Sequence, residues 1–126
     1  MEHLLWTFSD IFEENYFPSV PFHGGFGLLN LHGIPKPAYR AFELLHRLGS
    51  DRLRVDGLHE TVDAWVIRKP GTLTVLLANH ALPRHRIEVQ DIHVRLTDAR
   101  APREITLERI DEHHANPKRI WRDMGE

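Results

Sequence analysis

The chain has 126 residues, enough for one ordinary domain but well short of the roughly 250 residues of a complete α/β barrel. Hydrophobic residues make up 41% and charged residues 27%, the balance of a folded globular chain rather than a disordered tail. The net charge of −2 gives no overall attraction to nucleic acid or to an anionic membrane, and the absence of cysteine excludes disulfides and thiolate metal sites.

The start, Met1-Glu2-His3-Leu4-Leu5-Trp6, has neither a basic n-region nor a long apolar h-region, so no leader is expected on this segment and a cytoplasmic location is. Charges or turn residues interrupt every apolar run, which predicts no membrane span. The run Leu4-Leu5-Trp6-Thr7-Phe8 has the length and residue types of a buried strand. A long irregular segment follows, with Pro18, Pro21 and Gly24-Gly25. Its aromatic density (Phe12, Tyr16, Phe17, Phe22, Phe26) argues for a functional loop over disorder.

Residues 37–48 carry the clearest helical signal. Pro37 suits a first turn, where its missing N–H is no loss. Ala38, Ala41, Phe42, Leu45 and Leu48 form one apolar stripe, and Gly49 is a natural stop. The first 50 residues therefore read as strand, long loop and helix. From residue 51 the period changes to two. Residues 61–68 and 72–78 read as strands around a Pro70-Gly71 turn, followed by 86–96, with a break at Gln90-Asp91, and by 104–110. Short strands at this spacing suggest a β-sandwich or part of one. The end, residues 116–124, reads as a short helix with Asn116 at its start and Pro117 at its first position.

The segment around Trp6 combines a strand end, an indole and three acids, Asp10, Glu13 and Glu14. A Trp there offers an apolar floor to the C–H face of a sugar, and neighbouring carboxylates accept hydrogen bonds from its hydroxyls. The residues alone favour a plainer reading, in which Trp6 and Phe8 are core and Glu13 and Glu14 are solvated loop acids. His113-His114, with Asp111 and Glu112, lacks the i, i+4 spacing of a helical metal site and reads as a solvated turn. Gly24-Gly25-Phe26-Gly27 lacks the spacing of a phosphate-binding loop, which leaves tight loop geometry as the reason for its glycines. Trp65 and Trp121 read as core of the sandwich and of the final helix, with Lys118, Arg119 and Arg122 on that helix's wet face.

The runs WTFSDIFEE (residues 6–14), PFHGGFGLLN (21–30) and GIPKPAYRAFELLHRLG (33–49) together resemble the end of the catalytic barrel in family 39 glycoside hydrolases, in the β-xylosidase branch. The tail IDEHHANPKRIWRDMG (110–125) is similar to that family's β-sandwich region. The resemblance implies a mixed α and β fold. Residues 1–50 would be the last β/α unit of a (β/α)8 barrel, and residues 51–126 a mostly antiparallel β-sandwich, partial or complete. It also implies a retaining glycosidase, whose two catalytic glutamates come from barrel strands four and seven, ahead of the segment seen here.

Glu13 and Glu14 do not replace that pair, because adjacent residues on an extended segment face opposite ways, and Asp10 has no evident partner for protonation control. By resemblance, Trp6 is the platform under the sugar and Glu13 or Glu14 binds its hydroxyls. His23, Gly24, Gly25 and Phe26 match the loop near the site mouth. No catalytic residue, metal or cofactor is expected in this chain, and the expected ligand is a xylose-containing oligosaccharide or β-xyloside. An unpaired edge on strand 4–8 makes self-association an expectation. The alternative is a non-catalytic carbohydrate-binding or accessory β-sandwich module, which saturable binding of xylobiose, abolished by Trp6→Ala, would mark.

Overall fold

The computed structural model describes residues 8–11, 20–23 and 25–125. The predicted strand 4–8 therefore lies outside the described residues except at Phe8. The described residues fall into two compact units, one drawn from Met1–His46 and Thr106–Glu126, the other from Arg47–Ile105. Both α and β structure are present. Helix α1 spans Pro37–His46, strands β1, β2 and β3 span Asp51–Leu53, Val62–Lys69 and Thr72–Asn79, and helix α2 spans Pro117–Asp123.

In the first unit three short backbone segments lie side by side. Phe8 accepts hydrogen bonds from the N–H groups of Leu28 and Leu29 at 3.0 Å each, and Asp10 N–H donates to Leu29 at 2.9 Å. Lys36 N–H donates to Leu28 at 2.9 Å, so residues 28–29 are held between 8–10 and 35–36. Parallel and antiparallel bridges, Ser9 with Leu29 and Leu29 with Pro35, express the same arrangement. Asn30, fully buried, closes the 30–34 turn: its Oδ1 accepts from His32 N–H at 2.9 Å and Ile34 N–H at 2.8 Å. This turn delivers the chain to Pro37, where α1 begins as its proline predicts.

The predicted apolar stripe of α1 is only partly covered. Tyr39 meets Phe8 edge-on, with ring centroids 6.4 Å apart, whereas Phe42 and Leu45 are about half exposed at 50% and 48%. No residue of α1 is buried. The helix keeps its pattern without a full partner among the described residues. Helix α2 starts with Pro117 at its first turn, but Asn116 donates through Nδ2 to the Glu112 carbonyl at 3.1 Å and does not cap it. Trp121 packs on buried Phe22 at 5.6 Å between centroids, which joins the tail to the first unit's core. Ile120, beside Trp121, is 59% exposed, so the helix's dry side is narrow.

The second unit is a three-stranded antiparallel sheet in the order β1-β2-β3. Thr72 pairs with Lys69 across Pro70-Gly71. Proline at the first central position and Gly71 at φ +76° at the second are the type II pattern. Central β2 supplies the buried residues Val62, Val66 and Ile67. Because Val62 and Val66 alternate with Ile67, both faces of this strand carry apolar cover. Strand β1 went unread in the sequence, since Asp51-Arg52-Leu53 has no apolar alternation; it forms because β2 offers an edge and Asp51 pairs with Arg68 at 2.7 Å.

The strands expected at 86–96 and 104–110 are not formed. Their apolar residues are largely open to solvent, with Val89 at 93%, Ile105 at 82% and Leu107 at 78% exposure. Alternation prepares a face, but a strand also needs a neighbour for its N–H and C=O groups. The observed sheet is therefore smaller than the four-stranded region the alternation suggests.

Candidate functional site

Asp10 stands at the centre of the first unit's polar core. Its side chain is fully buried, and its Oδ1 accepts two hydrogen bonds, from Gly27 N–H and from Lys36 Nζ, both at 2.8 Å. The same ammonium donates to the Gly25 carbonyl at 2.8 Å, so Lys36 bridges a carboxylate and a loop carbonyl. His23 faces the other carboxylate oxygen, with Nε2 at 3.9 Å from Asp10 Oδ2, beyond direct hydrogen-bond reach. Those two atoms are both buried and have no hydrogen-bond partner.

The local chain explains how these groups meet. Backbone pairing of 8–10 with 28–29 brings Gly27 onto Ser9 and Asp10 so closely that a Cβ on Gly27 would lie 2.1 Å from Ser9 C and 2.3 Å from Asp10 N. Only glycine permits that approach. Pairing of 28–29 with 35–36 then places Lys36 beside the carboxylate, from 26 positions away in sequence. Charge-assisted hydrogen bonds of this kind are the strong ones, and burial makes an unmatched charge there expensive.

Of the five residues expected to bind sugar, Trp6, Glu13 and Glu14 lie outside the described residues. His23 and Phe26 are described. The structure brings His23 to Asp10, while Phe26 is 80% exposed. The expectation that Asp10 lacks a partner is corrected: Lys36, Gly27 N–H and His23 surround it. Lys36 went unremarked because a lysine between Pro35 and Pro37 shows no periodicity, and its role depends on a contact no local pattern reports. Its one signal was an isolated charge in an apolar, proline-rich stretch.

In the tail, Asp111 organises the turn that contains the paired histidines. Its Oδ1 accepts from His113 N–H at 2.9 Å and His114 N–H at 2.8 Å, and lies 2.7 Å from His114 Nδ1. The hydrogen bond with the His114 side chain, then that from the His113 backbone, hold its carboxyl at about 2, below the ordinary 3.8. A lowered carboxylate pKa means the turn's contribution is present above pH 3.8 and is lost as pH falls through about 2. Carbon-13 titration of the Asp111 carboxyl should show a midpoint near 2, and one near 3.8 would show that the turn does not form in solution.

Comparison with known proteins adds a family and relatives. The family model described as glycosyl hydrolases family 39 matches residues 3–126. A β-xylosidase from Caldicellulosiruptor saccharolyticus is 46% identical over 122 residues, covering 95% of this chain and 25% of that protein. A β-xylosidase from Geobacillus stearothermophilus is 35% identical over 120 residues, covering 95% of this chain and 23% of that protein. This chain thus spans about a quarter of the length of the curated relatives it matches. No solved structure gives a significant match.

Proposed function

We propose that this chain, which belongs to glycosyl hydrolase family 39, supplies one wall of the sugar site of a retaining β-xylosidase and does not carry the catalytic pair. The observation that carries the reading is coverage: 95% of the chain aligns with a β-xylosidase, yet the match takes in only 25% of that protein. Retention of configuration needs two carboxyl groups about 5–5.5 Å apart across the scissile bond. The one buried carboxylate among the described residues, Asp10, is committed through Oδ1 to Lys36 and Gly27.

In this reading Trp6 is the apolar floor of the sugar, Glu13 or Glu14 binds its hydroxyls, and His23 and Phe26 border the mouth. Residues 1–50 are the closing β/α unit of a (β/α)8 barrel, and residues 51–126 belong to an antiparallel β-sandwich. The step from the 28–36 segment into α1, and the β2-β3 hairpin, support that architecture. A xylose-containing oligosaccharide or β-xyloside is the substrate class. The half-exposed Phe42 and Leu45 of α1 fit a helix that docks on further barrel elements.

The purified 126-residue chain is expected to leave aryl β-xylosides unhydrolysed. Turnover that disappears in Glu13→Gln or Glu14→Gln would overturn the reading.

A further inference from the structure

We propose that Asp10 and Lys36 are positioning residues that hold Phe26 out of the protein as a second apolar platform for the sugar. This rests on the sugar-wall reading above, which places Phe26 at the site mouth, and adds the two residues that hold it there. Phe26 sits between two glycines whose backbones are gripped by one buried ion pair. On one side Lys36 Nζ donates to Gly25 C=O at 2.8 Å; on the other, Asp10 Oδ1 accepts from Gly27 N–H at 2.8 Å. The two charged groups are themselves joined at 2.8 Å.

The backbone on both sides of Phe26 is thus fixed, while its ring is 80% exposed. A large aromatic held in water on an anchored backbone suits stacking against the C–H face of a pyranose. Anchoring also removes the loop-ordering penalty that a free loop would meet on binding. Phe26 would touch the sugar; Asp10 and Lys36 would act through it.

The test uses the full chain, with xylobiose at millimolar concentration as probe, and follows the Phe26 ring and His23 imidazole signals by NMR. Hydrogen exchange at the Gly27 amide is measured alongside. In the unaltered chain both ring signals are expected to move with xylobiose. In Lys36→Met the apparent affinity should fall about tenfold and Gly27 protection should drop, with the far-UV spectrum unchanged; Asp10→Asn, whose carbonyl still accepts from Gly27 N–H, should lose less of both, and Lys36→Arg should recover part of the Lys36→Met loss. Phe26→Ala should lose the affinity while keeping Gly27 protection, which separates the platform from its support. Ring shifts that persist at full affinity in Asp10→Asn and Lys36→Met would overturn the positioning role and leave the sugar-wall reading standing. Absence of any xylobiose-induced shift in the unaltered chain would overturn the platform role of Phe26, whereas the sugar-wall reading falls on the separate outcome of aryl β-xyloside turnover by this chain.

Discussion

Lys36→Met is expected to destabilise the first unit by about 3–5 kcal/mol, the range for removing one partner of a buried ion pair. The size follows from burial. Asp10's side chain is fully enclosed and Lys36's is only 16% exposed, so methionine would leave a carboxylate with one backbone N–H and no countercharge. Asp10→Asn should be milder. The asparagine carbonyl can still accept from Gly27 N–H, and the lysine keeps the Gly25 carbonyl while its partly exposed ammonium can turn to water. The double variant Asp10→Asn with Lys36→Met should recover much of the single-variant loss, because neither charge is then stranded.

Exposed pairs set the contrast. Arg54 and Asp56 lie 2.7 Å apart, but their side chains are 86% and 77% exposed, and breaking such a pair costs about 1 kcal/mol at most. Urea unfolding of the four chains, followed by far-UV circular dichroism, measures the cycle. A loss in Lys36→Met no larger than that in Arg54→Met would mean that Asp10 is not buried as described.

Much of the local structure was legible in the sequence, and for reasons that are local. Pro37 and Pro117 fix the starts of both helices through their own ring geometry. The β2-β3 hairpin is marked by Pro70-Gly71, the residues a two-residue turn of this type demands, between apolar runs. What the sequence could not reveal depends on partners. Residues 86–96 and 104–110 alternate as strands should, yet alternation does not supply a neighbouring edge. Strand β1 shows the converse, three residues without a pattern that pair because β2 lies beside them.

The candidate site divides in the same way. His23 and Phe26 are legible only through the family resemblance, which matches their loop to the site mouth. Asp10 was noticed as an acid but left without a partner, because its counter-ion is 26 positions away. No periodicity links those residues; two backbone bridges through Leu29 do. Family resemblance reached further than residue patterns here, and the family match over residues 3–126 agrees with it.

Gly27→Ala should be the other severe substitution, and it probes the same clamp without touching a charge. The added methyl would meet Ser9 C at 2.1 Å, Asp10 N at 2.3 Å and Ser9 O at 2.5 Å, all backbone atoms that cannot swing aside. Relief requires residues 8–10 and 27–29 to separate, which breaks the Leu28 and Leu29 bonds to Phe8 and the Gly27 bond to Asp10. Overpacking of this kind costs about 3 kcal/mol or more. The comparison variant is Gly71→Ala, where the space is open and only the positive φ of +76° opposes a side chain, so about 1–2 kcal/mol is expected. Their separation in two units provides a further check. Gly27→Ala should release protection of the Asn30 and Lys36 amides while leaving the β2-β3 hairpin amides slow to exchange, and Gly71→Ala should do the reverse. Equal, uniform losses of protection in both variants would mean that the chain unfolds as one body and that the close approach of Gly27 to Ser9 is not a separate constraint.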